Sequence, residues 1–258
     1  MGACTLSRHT VLLLTALLSA CSYKFSAKNV FPDGPARTIA LMAQKNDLPE
    51  QLPSNLKSGI NRVGRYDLTP LLWSVKSDNI TPHTIGILIR NGANEFYYSK
   101  TQLTSPILHS LKYGPFDEFS VIVKSSRNIN RYQENDQGYE PTILFSAAVY
   151  GDVQKVELLV RSGAKLDIRN DFGQTPLLHS LPGNLSTIMA LLKAGADPKA
   201  RDKNGNDICE LLSHVTHPAR QAELAAVRKQ LRTERVNCES ANALRRSNLR
   251  NGSKRPSG

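Results

Sequence analysis

The sequence predicts an all-α protein built from repeated pairs of short helices, because one short peptide recurs at a nearly constant spacing. The recurring peptides begin at Thr69, Ser105, Thr142, Thr175 and Asp207, and Thr69-Pro70-Leu71-Leu72 and Thr175-Pro176-Leu177-Leu178 show the pattern most clearly. Their first residues are 36, 37, 33 and 32 positions apart. A second apolar run follows each of the clearer copies. A fixed period in this range indicates a repeat architecture, in which each unit buries its apolar side against the next.

Each of the clearer copies contains residues that are typical of the beginning and the end of helices. Thr, Ser or Asp at the first position caps a helix, and Pro at the next position costs no backbone hydrogen bond there. The second apolar run ends in Gly-Ala in three copies, at Gly92, Gly163 and Gly195. Glycine ends a helix in a left-handed conformation at low cost. Ser126 stands at this place in the second copy, so we expect a distorted turn there.

The period and the tetrapeptide resemble the ankyrin repeat. The resemblance covers roughly residues 35 to 231 and implies an ankyrin-repeat solenoid, in which helix-turn-helix units stack and turns protrude. By this resemblance, residues 35–66 form a degenerate N-terminal capping repeat, 67–206 four ankyrin-type repeats and 207–231 a C-terminal capping repeat. It also implies that the protein acts by binding other proteins.

The N-terminus has the pattern of an exported lipoprotein. Arg8 precedes the apolar stretch 11–18, which is too short to span a bilayer as a helix, and Leu18-Ser19-Ala20-Cys21 resembles the bacterial lipobox. The resemblance implies a signal peptide over 1–20, cleavage after Ala20 and lipidation of Cys21. Because Ser22 follows, rather than Asp, we expect an outer-membrane anchor rather than an inner-membrane one, with the protein in the periplasm. The alternative is an ordinary secretory signal cut nearby.

The two ends of the mature chain look different from its middle. Residues 21–34 are predicted to be a lipidated tether. The tail 232–258 holds seven Lys and Arg against two Glu, a net +5 of the formal +11 of the whole chain. Its low apolar content predicts a basic disordered tail. Export argues against nucleic acid as its partner, which leaves a solvated tail, or contact with anionic lipid or an acidic protein.

The cysteine count leaves one question open. Cys4 leaves with the signal and Cys21 is the lipidation site, so Cys209 and Cys238 remain. An oxidising periplasm permits a disulfide between them. Alternatively, Cys209 is a free thiol that packs as a small apolar side chain at a buried repeat position.

The sequence contains no recognisable catalytic, metal or cofactor motif. The six histidines form no His-Glu-x-x-His pair, and neither a nucleophile elbow nor a Gly-rich phosphate loop is present. We therefore expect a protein that is not an enzyme and needs no cofactor. Trp73, His109 and His179 fall at equivalent repeat positions, where they form either a recognition stripe or packing contacts between repeats.

The resemblance implies which positions bind a partner. Ankyrin proteins contact partners through the turn before each repeat and the exposed end of the first helix. In this sequence those places hold Tyr66, Lys76, Gln102, Lys112, Tyr113, Tyr139, Tyr150, Phe172, Gln174 and Lys203. Tyrosine suits an interface because it buries much area while its hydroxyl finds a partner.

Two functions of different classes are compatible with these features. The sequence resembles ankyrin-repeat immunity lipoproteins, which bind and inhibit antibacterial effectors of type VI secretion in the periplasm, phospholipases in particular. This resemblance implies a secreted toxin as the protein partner. The alternative is a general periplasmic scaffold or envelope-maintenance lipoprotein.

Overall fold

A computed structural model describes residues 26–135, 138–181, 183–215 and 217–238. These residues form two compact units, which divide between Ser110 and Leu111. The predicted lipidation site Cys21 and residues 239–258 of the predicted tail lie outside the described residues. The prediction of a disordered tail from residue 232 is wrong for its described part, because Arg232 and Thr233 end the last helix and Cys238 is buried. No helix in the described ranges is long and apolar enough to span a bilayer.

Unit 1, described from residue 26 to Ser110, is helical. Its helices are α1 (Ala27–Val30), α2 (Gly34–Gln44), α3 (Ser54–Lys57), α4 (Pro70–Val75) and α5 (Pro82–Arg90), followed by the start of α6 (Pro106–Tyr113). The predicted cap at Thr69 is confirmed, because its hydroxyl accepts a hydrogen bond from the amide of Leu72 at 3.2 Å. α2 packs on α4 and α4 on α5, around fully buried Leu71, Leu72 and Leu88.

The expectation of a tether over residues 21–34 is wrong for its described part. Ala27, Val30 and Phe31 are almost completely buried, and α1 packs against α2. The ring of Phe31 meets the ring of Trp73 edge to face, with the centroids 6.5 Å apart. The apolar residues Ala27, Val30 and Phe31 are spaced so that they face one side of this segment, so residues 27–31 belong to the folded body.

Unit 2, described from Leu111 to residue 238, contains the remaining helix pairs. After the end of α6 come α7 (Phe116–Ser125), α8 (Ile143–Tyr150), α9 (Val153–Arg161), α10 (Pro176–His179), α11 (Leu185–Lys193), α12 (Ile208–Ser213) and α13 (Gln221–Thr233). The second helices form one layer, in which α7 packs on α9, α9 on α11 and α11 on α13. Fully buried Leu159, Ile188 and Val227 lie in this layer.

A short β-hairpin interrupts the all-α pattern that the sequence predicts. Strand β1 (Gln133–Asn135) pairs antiparallel with β2 (Gly138–Glu140), with Glu134 opposite Tyr139. The hairpin lies in the connection between α7 and α8. This connection is longer than the others of unit 2, so its backbone groups can satisfy one another by pairing.

The ends of the second helices follow the glycine pattern. Gly92, Gly163 and Gly195 have φ angles of 98°, 85° and 91°, which confirms the left-handed turn predicted for them. Ser126, which replaces glycine after α7, has φ −68° and ψ 137° instead. Ser126 is therefore extended where the other copies have a left-handed glycine, which is the distorted turn expected from the absence of glycine.

A disulfide joins Cys209 in α12 to Cys238, which follows α13. Their Cα atoms are 5.0 Å apart, and both residues are buried. The sequence left open whether these cysteines form a disulfide or Cys209 is a free thiol, and the structure contains the disulfide. The bridge fastens the last described residue to the last helix pair.

Candidate protein-binding surfaces

The predicted binding residues lie at opposite ends of the first helices, and so do not share a single edge. The turn residues Tyr66, Gln102, Tyr139, Phe172, Gln174 and Lys203 precede the helix caps. Lys76, Lys112, Tyr113 and Tyr150 end a first helix or follow its last residue. A helix of eight residues such as α8 is about 12 Å long, which separates its two ends by the width of a helix. Three surfaces result, two within unit 2 and one within unit 1.

The turn surface of unit 1 comprises Tyr66, Asp67, Gln102 and Leu103, and hydrogen bonds fix its two turns to each other. The amide nitrogen of the Gln102 side chain donates to the Tyr66 carbonyl at 3.1 Å. The Asp67 carboxylate accepts from the Tyr97 hydroxyl and from the amide of Thr101. Burial raises the pKa of Asp67, but these hydrogen bonds outweigh it and hold the pKa below its usual value. Burial, with help from Asp67, also raises the pKa of Tyr97 to about 12.

Three residues of this surface have left-handed backbones that usually favour glycine. Tyr66, Asp67 and Leu103 have φ angles of 62°, 59° and 50°. At the places equivalent to Asp67 and Leu103, two residues before the helix cap, unit 2 has Gly173 and Gly205 with φ of 75° and 80°. Leu103 is also 60% exposed, so burial of its side chain does not offset the backbone cost.

The turn surface of unit 2 comprises Phe172, Gln174 and Lys203. Phe172 is 71% exposed, and its carbonyl accepts from the amide of Lys203 at 2.9 Å. Asn170 holds the Phe172 turn, because its side-chain oxygen accepts from the amides of both Phe172 and Gln174. The exposed ring is therefore carried on a rigid turn. For Tyr139 the structure describes only the backbone, which lies in β2.

The helix-end surface comprises Lys112, Tyr113, Phe116 and Tyr150, where α6 and α8 end. Tyr113 is 74% exposed and Tyr150 53% exposed. The ammonium nitrogen of Lys112 lies 4.1 Å from the centroid of the Tyr150 ring, which links the ends of the two helices. A cation over an aromatic face attracts it and so limits the positions of both side chains.

Beneath this surface lies a buried lysine that sequence reasoning did not identify. Nζ of Lys155 donates to the carbonyls of Leu111 and Gly114, each at 2.8 Å, and lies 5.6 Å from the centroid of the Phe119 ring. Burial lowers the pKa of Lys155, while the carboxylates of Asp152 and Glu118 act in the opposite direction. Lys155 thus bonds the backbone at the end of α6, which positions Lys112 and Tyr113.

The residues at the shared first-helix position mainly make packing contacts. Trp73 is buried against Phe31, and the ring of His179 lies 5.5 Å from the ring of Phe145. Burial, and then the charge of Lys76, lower the pKa of His109 to about 4, so this imidazole is neutral at neutral pH. These contacts favour packing over a recognition stripe.

Four exposed large apolar residues of the described ranges were missed in the sequence: Val63, Leu103, Phe116 and Tyr132. Aligning the repeats at their caps would have identified Leu103, because it stands where the copies that begin at Thr175 and Asp207 have Gly173 and Gly205. Phe116 opens α7 beside Pro115, and Tyr132 lies in the long connection before β1. Neither has a counterpart in the other copies that could have marked it as exposed.

Comparison with known proteins identifies the repeats. Residues 111–202 match the family described as ankyrin repeats (3 copies). Ankyrin repeat and SOCS box protein 2 of Homo sapiens is 26% identical over 121 residues, 46% of this chain. An ankyrin repeat protein of Rickettsia felis is 36% identical over 76 residues, 29% of this chain. The chain spans only 18% and 25% of the lengths of these two relatives.

A solved structure shares the fold. The crystal structure of an ankyrin repeat domain from Acinetobacter baumannii AYE superposes with a TM-score of 0.56 at 23% identity, and the match covers 78% of this chain and 98% of that one. The predicted ankyrin-repeat fold is therefore confirmed. Ankyrin repeats serve protein–protein interaction, and this fold is typically a binding scaffold without enzymatic activity. Across the ranges that the structure describes, no group of three or more His, Cys, Asp or Glu side chains could hold a metal ion.

Proposed function

We propose that this protein is an immunity lipoprotein, anchored to the outer membrane and facing the periplasm. It binds and inhibits an antibacterial effector delivered by type VI secretion, in particular a phospholipase. The observation that carries the proposal is a set of exposed aromatic side chains on rigid supports: Phe172 on its Asn170-held turn, and Tyr113 and Tyr150 on the helix-end surface. Large rings held in place bind at low entropic cost, and such residues dominate interfaces.

The support for the membrane location and for the class of partner comes from the sequence. The lipobox at Cys21 supports the anchor, and the resemblance to ankyrin-repeat immunity lipoproteins supports the effector as partner. A membrane anchor suits inhibition of a phospholipase, because tethering raises the effective concentration of the inhibitor at the surface where that enzyme acts. A fold by itself does not define a function, so the effector is the part of the proposal that needs direct testing.

The test uses the purified mature chain and the effector encoded by a neighbouring gene. We expect tight binding and loss of effector activity at an equimolar ratio. Tyr113→Ala and Phe172→Ala should each weaken binding by about thirtyfold, the effect of one dominant anchor. Tyr132→Ala is the matched control, because Tyr132 is 63% exposed but lies outside the predicted binding positions.

The outcomes separate the surfaces and the functions. Loss with Tyr113→Ala alone places the effector on the helix-end surface, and loss with Phe172→Ala alone places it on the turn surface of unit 2. The same strain with this gene deleted should die under attack by siblings that deliver the effector, and should be rescued by this gene. Survival of the deletion strain under active delivery would refute immunity and favour the alternative, a periplasmic scaffold.

A further inference from the structure

A shallow pocket on unit 1 lies beside the first described residues. Its volume is ≈ 270 Å³, and it is lined by Phe31, Pro32, Asp33, Ala36, Arg62, Val63, Gly64 and Arg65. The segment 62–65 packs directly on the end of α1: a Cβ added to Gly64 would lie 2.6 Å from the Val30 carbonyl oxygen. The pocket is therefore fixed to the beginning of the folded body.

The side chains at this pocket are basic and exposed. Arg62 and Arg65 are both exposed, and neither guanidinium has a hydrogen bond or an ion pair with the described residues. Val63 between them is 46% exposed. Asp33 is the one acidic residue of the lining, and Lys28 on α1 adds a further exposed positive charge. Two available arginines around an exposed aliphatic side chain complement a surface of phosphates over hydrocarbon.

The short segment between Cys21 and the first described residue would keep this pocket near a membrane to which Cys21 is anchored. Ser26, the first described residue, is five residues after Cys21, and five residues span at most about 17 Å. A lipid on Cys21 would therefore hold α1 and the pocket next to the headgroups. Electrostatic attraction to the headgroups acts over about 8 Å at physiological ionic strength, and a basic surface tethered this closely can come within that range.

We infer that the N-terminal basic face, made of Arg62, Val63 and Arg65, docks on the anionic lipid headgroups of the membrane that carries the anchor. This inference rests on the lipid anchor of the proposed function. The arginines bind headgroup phosphates, Val63 contacts the region between headgroups, and unit 1 is held on the bilayer.

The experiment uses the mature chain with Cys21→Ala, so that no covalent lipid contributes to binding. Vesicles of phosphatidylcholine are prepared with and without about 30% phosphatidylglycerol, an anionic lipid. We expect binding to the anionic vesicles only. Replacing Arg62 and Arg65 by Gln should weaken it about 25-fold, since each basic residue near an anionic surface contributes about fivefold. The matched control replaces Lys165 and Lys199 by Gln, which removes the same charge from exposed positions of unit 2.

The control also accounts for the basic tail, which both variants retain. Equal loss in the two double variants would overturn the inference, because the net charge alone would then explain binding. So would equal affinity of the wild type for both kinds of vesicle, or no binding to either. Thermal melts of both variants exclude misfolding as the cause. Effector inhibition in solution should be unchanged in the Arg62, Arg65 variant, so failure of the docking and failure of the immunity function give different results.

Discussion

The ammonium nitrogen of Lys112 lies 4.1 Å from the centroid of the Tyr150 ring, so the last turn of one first helix positions an exposed aromatic residue on the next. The contact turns two separate helix ends into one surface with a defined shape. Whether that surface binds the partner can be tested at Lys112 itself.

Replacing Lys112 by Gln should weaken binding to the effector about two- to fivefold. The reason is the loss of a cation–π contact, which is worth about 0.5–1 kcal/mol at an exposed site. Surface plasmon resonance with the purified proteins measures the effect. Lys165→Gln removes an equal charge from an exposed turn, and an equal change in both variants would contradict a role of the Lys112–Tyr150 pair.

Replacing Leu191 by Asp should unfold the protein at ordinary temperatures. Leu191 is completely buried in α11, and an unpaired charge buried there costs several kcal/mol, a large part of the stability of a typical domain. Leu158→Asp in α9 should act in the same direction. Thermal melts by circular dichroism test this. Lys165→Asp, on an exposed turn, should leave the melting temperature nearly unchanged, and equal tolerance at the three positions would refute the register of the repeats.

The pKa of His109 predicts a loss of stability in mild acid. Its folded value of about 4 lies below the value of 6.5 that applies to an unfolded chain. Above pH 6.5 both states are neutral and there is no penalty; between pH 6.5 and 4 the unfolded state binds the proton first, so stability falls. The upper limit of this loss is about 3 kcal/mol.

Two measurements check the behaviour of His109. Titration followed by NMR should show its imidazole protonating near pH 4, and His109→Gln should lose less stability than the wild type between pH 6.5 and 4. Lys76→Gln should raise the pKa of His109, because the charge of Lys76 is the second cause of the shift after burial. A pKa near 6.5 in the wild type would show that the imidazole is not desolvated in solution.

Removing the disulfide should destabilise the last helix pairs. Cys209 and Cys238 are 29 residues apart, and closing a loop of this length is worth about 3–4 kcal/mol. Cys238→Ser should therefore lower the melting temperature, and the double variant with Cys209→Ser should not lower it much further. Mass spectrometry after treatment with an alkylating reagent should find neither cysteine alkylated in the oxidised wild type. Two free thiols in protein from the periplasm would contradict the bridge.

Lipidation of Cys21 is tested in cells. Labelled palmitate should enter the wild type, and Cys21→Ala should abolish both the label and fractionation with the outer membrane. A Cys21→Ala protein without label that still fractionates with the membrane would mean that the basic face or the tail holds it there. An unlabelled wild type would refute the lipobox interpretation.

The sequence predicted the helix pairs well because their signals are local. A cap such as Thr69 and a closing glycine such as Gly163 act on neighbouring residues of the chain, so the pattern shows them directly. The distortion of the turn after α7 also followed from the missing glycine at Ser126. The segment 207–231, predicted as a C-terminal capping repeat, contains α12 and most of α13.

The sequence could not show features that depend on contacts between distant residues. Residues 26–31 were assigned to a tether because their burial depends on Trp73 and α2. Lys155 looks like an exposed charge until the carbonyls of Leu111 and Gly114 are found beside it. The sequence also does not give the distance between the turns and the helix ends, which depends on the length of each first helix.

The left-handed Leu103 has a consequence for engineering. Leu103→Gly should stabilise unit 1 by about 0.5–1 kcal/mol, because it relieves the backbone at the loss of little buried area, whereas Gly173→Ala should destabilise unit 2. If Leu103 contacts a partner, the more heat-resistant protein is then the weaker binder. A library of variants ranked by melting temperature alone would discard the residue that recognition requires.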